Sequence, residues 1–483
     1  VKVLFAVSEC GPFAKSGGLA DVAGSLPKEL KSLGTDVRVI LPKYGTIADQ
    51  YKKKMKKIKE FTVDVGWRKQ YCGIEELIHQ GVTYYFVDNE YYFKREGLYG
   101  YFDDGERFAF FSRAVLETLK ELDYFPNILH CHDWHTAMIP YLLRADYYRR
   151  TGYGSIRTVF TIHNLQFQGI FPREVLKDLL GLDESYFHPG HLEFFGNVNF
   201  MKGALVAADK ITTVSPTYMQ EIQTPEFGEK LDGLLRARNE DLVGILNGID
   251  DDFYDPSKDP FIFQNYSIHN IGKKAANKRE IQKQFGLKQS ASTPLMVMIS
   301  RLTRQKGIDL IKCVFREILQ EDIQLIFLGA GDFEYEEYLR QAARIYPEKL
   351  RVYTGFNEEL AHKLYAAADL FLMPSLFEPC GLGQLIAMKY GAIPIVRETG
   401  GLNDTVKSWN EFTKEGNGFS FKHFNAHDML YTIRRALSFY HNKKTWGLIV
   451  KQAMEKDYSW AQSAFYYNQL YAEVIARSET YVF

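Results

Sequence analysis

An arginine and a lysine stand five residues apart in Arg301-Leu302-Thr303-Arg304-Gln305-Lys306-Gly307, directly after the apolar run 294–299. The run reads as a buried strand, and the segment beyond Gly307 as a helix. Two cations at such a junction make a corner suited to a phosphate-bearing ligand. Two glycine-marked turns, Phe377-Glu378-Pro379-Cys380-Gly381-Leu382-Gly383 and Glu398-Thr399-Gly400-Gly401, also precede helical patterns. Backbone N–H groups at a helix start favour an anion by about 0.3–1 kcal/mol when exposed. With Arg301, Lys306 and a lysine near the N-terminus, Lys15, these turns would hold a diphosphate. Glu378 does not suit phosphate. It would accept hydrogen bonds from sugar hydroxyls, act as a nucleophile, or simply start a helix ahead of Pro379.

Four more stretches carry polar chemistry. Lys15-Ser16-Gly17-Gly18 follows an apolar run at 3–7 and precedes a helical pattern at 19–33, marked by Leu19, Val22, Ala23, Leu26, Leu30 and Leu33. Its glycines would let a ligand approach free N–H groups; a plain strand-to-helix turn is the alternative. His130-Cys131-His132-Asp133-Trp134-His135 invites a metal, but alternate residues of a strand point to opposite faces. A polar wall with Trp134 as a stacking platform for a sugar is the expectation. His163, after the strand pattern 157–161, lies where open parallel sheets bind ligands, or is a capped, satisfied histidine. Asp250-Asp251-Asp252 follows Asn247-Gly248 and reads as turn chemistry rather than a metal-binding DxD. The lysines at 52, 53, 54, 56, 57 and 59 read as a solvated helix face, with weak polyanion contact as the alternative.

The elements that must position these residues alternate strand and helix. A first series runs from residue 3 to 246, with a meander at 61–65, 70–78 and 82–88. Residues 250–293 read as irregular and polar. A second series has strands at 294–300, 323–328, 350–354, 370–373 and 393–396, with helices near 307–320, 334–346, 358–368 and 382–391. This implies α/β architecture with two Rossmann-like doubly wound domains, 1–247 and 248–457, facing an interdomain cleft. A C-terminal helix, 458–483, would return to the first domain.

Composition excludes several classes. With 59 basic and 60 acidic residues, no global field points to nucleic acid or an anionic membrane. Five scattered cysteines form no CxxC pair, which argues against a disulfide frame or a cysteine zinc site and fits a reducing cytoplasm. No apolar run reaches about 18 residues, the length of a membrane span. The residues before position 8 are too short and wrongly flanked for a signal peptide. High aromatic content, 31 Tyr and 35 Phe, suits packed cores or sugar stacking.

Taken together, Lys15-Ser16-Gly17-Gly18-Leu19-Ala20-Asp21-Val22, Thr161-Ile162-His163-Asn164, Ser300-Arg301-Leu302 with Lys306-Gly307, Glu378-Pro379-Cys380-Gly381-Leu382 and Thr399-Gly400-Gly401-Leu402 resemble, in order and spacing, the bacterial glycogen synthases and related plant starch synthases. The resemblance implies the GT-B fold, with retaining transfer of glucose from ADP-glucose to the non-reducing 4-OH of glycogen or a maltooligosaccharide. No metal or other cofactor is implied. It assigns Lys15, His163, Arg301, Lys306 and Glu378 to catalysis. Lys15, Gly18, Asn247, Arg301, Lys306, Phe356, Cys380, Gly381, Leu382, Thr399 and Gly400 fall on the donor side, with Phe356 against the base. Asp21, Asp133 and Trp134 fall on the acceptor side. Many retaining relatives carry a second glutamate eight residues after the first; here that position is Ile386, in keeping with the synthase pattern. Residue 1 is Val where the family usually starts with Met, and no mechanistic step depends on it.

Overall fold

The computed structural model describes residues 1–477 and 483. The chain forms two compact units. One comprises Val1–Val214, Met219–Asn247 and Trp460–Phe483; the other comprises Ser215–Tyr218 and Gly248–Ser459. Residues 478–482 of the expected C-terminal helical segment lie outside the described residues.

The strands of the first unit, in chain order, are β1 (Lys2–Ala6), β2 (Asp36–Pro42), β3 (Lys56–Val65), β4 (Arg68–His79), β5 (Val82–Asp88), β6 (Ile128–His132), β7 (Arg157–Ile162), β8 (Ile170–Pro172), β9 (Glu193–Phe194), β10 (Asn197–Asn199), β11 (Lys210–Thr213) and β12 (Leu242–Gly244). Among the described residues, the main sheet has the order β12-β11-β7-β6-β1-β2-β5-β4-β3, and β8, β10 and β9 form a small second sheet. Pairing is parallel from β12 to β5 and antiparallel through β5, β4 and β3. Beyond Lys2, β1 is buried on both faces, which is why it reads as an unbroken apolar run. The helix Gly18–Ser32 buries Leu19, Val22, Ala23, Leu26 and Leu30 along one stripe. Leu33 lies one residue past its end and is 49% exposed, so the stripe stops a turn earlier than its spacing suggests.

The lysine-rich stretch departs from expectation. Only Asp49–Lys52 is helical, and Lys56, Lys57 and Lys59 lie on β3, the outer strand of the meander. Lysines on an edge strand keep it from pairing with other chains, so the charge run has a structural reason other than a helix face.

The C-terminal helix Trp460–Ala476 packs against Gly18–Ser32 in the first unit. Thr35 Oγ1 donates to Asn468 Oδ1 at 2.7 Å, Ser463 Oγ donates to the Leu246 carbonyl at 2.5 Å, and Arg477 pairs with Asp241 at 2.8 Å.

The second unit holds β13 (Leu295–Ile299), β14 (Gln324–Gly329), β15 (Leu350–Thr354), β16 (Leu370–Met373), β17 (Ile393–Arg397) and β18 (Phe419–Phe421), all parallel in the order β15-β14-β13-β16-β17-β18. Residues 250–293 are less irregular than their composition suggests, because Lys274–Gln284 is a helix. Its buried residues are Asn277, Lys278, Ile281 and Gln282. Polar groups anchor it: Lys278 pairs with Asp369 at 2.8 Å, and Asn277 Oδ1 accepts the backbone N–H groups of Phe263 and Gln264. A helix held by polar contacts has no apolar period to read.

In each sheet the strand order runs outward in two directions from a central pair, β1 and β6 in the first unit and β13 and β16 in the second. In open parallel sheets, ligands bind outside the carboxyl ends of strands at such a reversal.

Candidate active site

At the reversal of the second unit, Gly307 ends the short turn Arg304–Lys306 with φ +80°. A Cβ there would lie 1.9 Å from the Pro374 carbonyl oxygen, so only glycine lets the loop after β13 meet the loop after β16. Leu376 N–H donates to the Gln305 carbonyl at 2.8 Å, and Gln305 Nε2 donates to the Phe377 carbonyl at 3.2 Å. This docking carries Lys306 Nζ to 3.1 and 2.9 Å from the two carboxylate oxygens of Glu378. Ser375 Oγ also donates to Glu378 Oε2 at 2.9 Å, and Glu378 is only 6% exposed. Arg397, buried, donates to the Leu376 carbonyl at 2.7 Å and steadies the backbone ahead of Glu378. Arg301 is exposed and makes no ion pair among the described residues.

The Gly400 turn lies against the Glu378 turn. Gly401 N–H donates to the carbonyls of Glu378 and Pro379, both at 3.1 Å. That N–H is therefore engaged by protein, in place of the ligand-facing role read from the sequence. Cys380 is buried, Leu382 is half-buried, and Gly381 takes φ +77° between them. Thr399 is buried in extended conformation ahead of the helix Gly400–Thr405. Phe356, after β15, is 76% exposed and makes no ring contact among the described residues.

The first unit has its own cluster at its reversal. Lys15 follows β1, is exposed, and pairs with Asp21 at 2.8 Å; Gly18 opens the helix. Two of the loop's amides are engaged by the protein rather than free as expected. Buried Glu9 accepts Ser16 N–H at 2.5 Å and Ser16 Oγ–H at 2.8 Å, and also engages the Gly17 amide. Burial raises the Glu9 carboxyl, against the lowering effect of those bonds.

After β6, Asp133 takes φ +59°, a backbone region costly for a residue with a side chain. Its Oδ1 accepts His163 N–H at 2.8 Å and Asn164 N–H at 3.5 Å. Burial pushes its carboxyl up to about 7, against these two bonds. His132 Nδ1 and His163 Nε2 stand 2.9 Å apart. His130 reaches Tyr471 OH at 2.7 Å and Thr161 Oγ1 at 2.6 Å, and its ring stacks on His132 with centroids 4.3 Å apart. Burial lowers His130 and His163 to about 3, so both rings are neutral at neutral pH. The histidines thus bond to one another and to hydroxyls; among the described residues, no group of three or more His, Cys, Asp or Glu converges as a metal site.

Trp134 is not a surface platform. It is 8% exposed, stacks on His135 at 4.1 Å and touches Phe108, Phe171 and Phe200. Exposed rings in loops of the first unit include Phe102, fully exposed between β5 and β6, and Phe167, 53% exposed after β7. Sequence reading passed over both, as it did Glu9 and Ser375, because a single residue carries no spacing signal. Asn247 is buried with its Oδ1 lacking a partner among the described residues. Asp250 Oδ1 accepts the N–H groups of Asp252 and Phe253, the turn expected there.

The chain matches the starch synthase catalytic domain model over residues 2–237 and the glycosyl transferases group 1 model over residues 278–447. Two doubly wound units under these matches define a glycosyltransferase of the GT-B class. The chain is 65% identical over 482 residues to a glycogen synthase of Anoxybacillus flavithermus (strain DSM 21510 / WK1), covering 100% of both, and 64% identical over 479 residues to one of Geobacillus stearothermophilus, covering 99% of both. The chain belongs to the glycogen synthase family. Its fold is similar to the catalytic domain of starch synthase IV from Arabidopsis thaliana bound to ADP and acarbose, with TM-score 0.92, 35% identity and 99% of each chain covered. A sucrose-phosphate synthase from Thermosynechococcus elongatus shares the fold alone, with TM-score 0.62 and 17% identity over 98% of this chain and 99% of that one. Among the described residues, no helix is long and apolar enough to cross a membrane.

Proposed function

We propose that this glycogen synthase transfers glucose from ADP-glucose to the non-reducing 4-OH of an α-1,4-glucan with retention, in the cytoplasm and without a metal. The observation that carries this reading is Lys306 held by both oxygens of Glu378 where the second sheet reverses. A carboxylate offers about four acceptor sites. Three are filled by Lys306 and Ser375, so Glu378 accepts one glucose hydroxyl without giving up a bond. Arg301 and Lys306 then meet the diphosphate. The likeness to a starch synthase bound to ADP and acarbose supports a nucleotide donor and a glucan acceptor. Five cysteines without disulfides among the described residues support a reducing compartment.

Glucosyl transfer passes through an oxocarbenium-like state, with positive charge at C1 and negative charge on the departing diphosphate. Arg301 and Lys306 stabilise that leaving charge, and His163, held by Asp133, lines the sugar site. Glu378 is engaged with Lys306 and Ser375, so retention proceeds by attack from the leaving-group face, with the phosphate taking the acceptor proton. Lys15, which pairs with Asp21, is a further donor-side residue of this reading.

The decisive experiment supplies labelled ADP-glucose or UDP-glucose with glycogen and measures label in polymer and release of glucose 1-phosphate. Polymer growth with ADP-glucose, unaffected by EDTA, is expected. Preference for UDP-glucose would overturn the donor, and loss of activity with EDTA would overturn metal independence. Glucose 1-phosphate as the main product would favour a phosphorylase. A covalent glucosyl adduct on any side chain would overturn the front-face step.

A further inference from the structure

Deepening that reading, we infer that His132, which itself reaches no substrate, fixes the ring proton of His163 on Nδ1, so that His163 meets the sugar nucleotide as a hydrogen-bond donor. His132 ends β6 and is fully buried. Its Nδ1 faces His163 Nε2 at 2.9 Å, and its Nε2 has no partner among the described residues. One of the two facing nitrogens carries the shared proton. Were it His163 Nε2, neutral His132 would hold its own proton on Nε2, a buried N–H with no acceptor. Orphaned buried N–H groups are rare and carry the full desolvation cost. The other arrangement puts the proton on His132 Nδ1, donating to His163 Nε2, and leaves only a bare nitrogen unpartnered. Neutral His163 must then carry its proton on Nδ1.

The surroundings hold this pair in place. The His132 ring packs against Phe5, centroid 5.1 Å away, and His130, 4.3 Å away. Its backbone N–H donates to Thr136 Oγ1 at 2.7 Å, and the His163 backbone N–H is held by Asp133. Burial keeps His132 and His163 well below the usual imidazole range, so neither ring gains a second proton at neutral pH. A neutral donor stabilises an oxygen lone pair without placing a full positive charge beside the oxocarbenium-like carbon. His132 is a positioning residue, acting through His163.

Because the inference rests on the reading of His163 as a substrate-binding group, its first test avoids activity. Long-range proton–nitrogen spectra of histidine-labelled protein, assigned with H163Q and H132N, report which ring nitrogen carries each proton. Protonation of both His132 and His163 at Nδ1 is expected; His163 protonated at Nε2 overturns the inference. The second test compares variants that keep, remove or reverse the donor. H132N places an amide N–H near Nδ1 and is expected to hold turnover within about threefold, whereas H132L is expected to mix the His163 tautomers and lower turnover about tenfold or more. H132D offers only acceptors and is expected to move the His163 proton to Nε2, which keeps the comparison decisive if H132L fails to fold. Equal turnover and one unchanged His163 tautomer in all folded variants would overturn the assignment. Failure of the functional reading shows differently: wild-type protein then transfers no glucose while its spectra still report the tautomer.

Discussion

Replacing Gly400 with alanine separates two roles for the second glycine turn: packing against Glu378, or offering amides to a ligand. The new Cβ would stand 1.8 Å from the Glu378 carbonyl oxygen, whereas ordinary contact begins at 3.4 Å. The two turns must therefore part by about 1.6 Å, the difference between those distances. A side chain at φ +47° adds about 1–2 kcal/mol, and overpacking a further 1–3 kcal/mol. A shift above 1 Å in a group that positions substrate costs about a hundredfold in rate. The assay is initial incorporation of labelled glucose into glycogen at saturating donor, run beside a thermal melt. Gly400→Ala should lower turnover about a hundredfold and destabilise the protein by about 2–5 kcal/mol. The control is Gly447→Ala, inside the helix Lys443–Glu455, where an added Cβ meets nothing within 4 Å. It should keep full activity and gain up to about 1 kcal/mol. Wild-type rate and melting temperature in Gly400→Ala would refute the packing argument.

Arg301→Ala or Lys306→Ala should lower turnover about 10²–10³-fold with little change in glucan affinity, and equal loss of both in a binding and rate comparison would make the corner a polymer site. Asp209→Ala removes the carboxylate that accepts Arg144 Nη2 at 2.6 Å and Thr158 N–H at 2.7 Å. The Arg144 side chain is fully buried, so denaturant titration should show a loss of about 3–5 kcal/mol, and a loss within error would refute that role. Buried His362 sits between Asp259 at 2.6 Å and Glu358 at 3.1 Å, with Tyr390 OH also on Asp259 and the rings of Tyr254, Phe253 and Phe261 around it. Burial alone would lower the imidazole, but its bonds to the two carboxylates hold it up to about 9. The raised group contributes stability that is fully present below about pH 6.5 and lost as pH rises through about 9. Melting temperature should fall across that window, and His362→Gln should flatten the slope; an unchanged slope would remove His362 as its source.

The central parallel strands were legible because they are buried on two faces and read as apolar runs. Boundaries such as 350–354 and 370–373 coincide with β15 and β16. What stayed hidden was set by contacts distant in sequence. The helix Lys274–Gln284 is anchored by Asp369, and the loop around Ser16 is closed by Glu9. Trp134 looked like a platform because its neighbours are polar, yet Phe108, Phe171 and Phe200 enclose it from other elements. Residue types at Lys306 and Glu378 announced a ligand site, while their bond to each other, 72 positions apart, required the fold.

The last helix bears on how the protein is made. The first unit is interrupted after Asn247 and resumes only at Trp460, whereas Gly248–Ser459 leaves the ribosome as one continuous stretch. His130 waits 341 residues for the hydroxyl of Tyr471. At translation speeds of about 5–20 residues per second that interval is roughly 17–70 s. Throughout it the nascent first unit exposes the face of Gly18–Ser32 that the last helix will cover, and its histidine wall lacks a neighbour. The second unit can mature during synthesis; the unit that carries His163 is completed only once Trp460–Ala476 has been made.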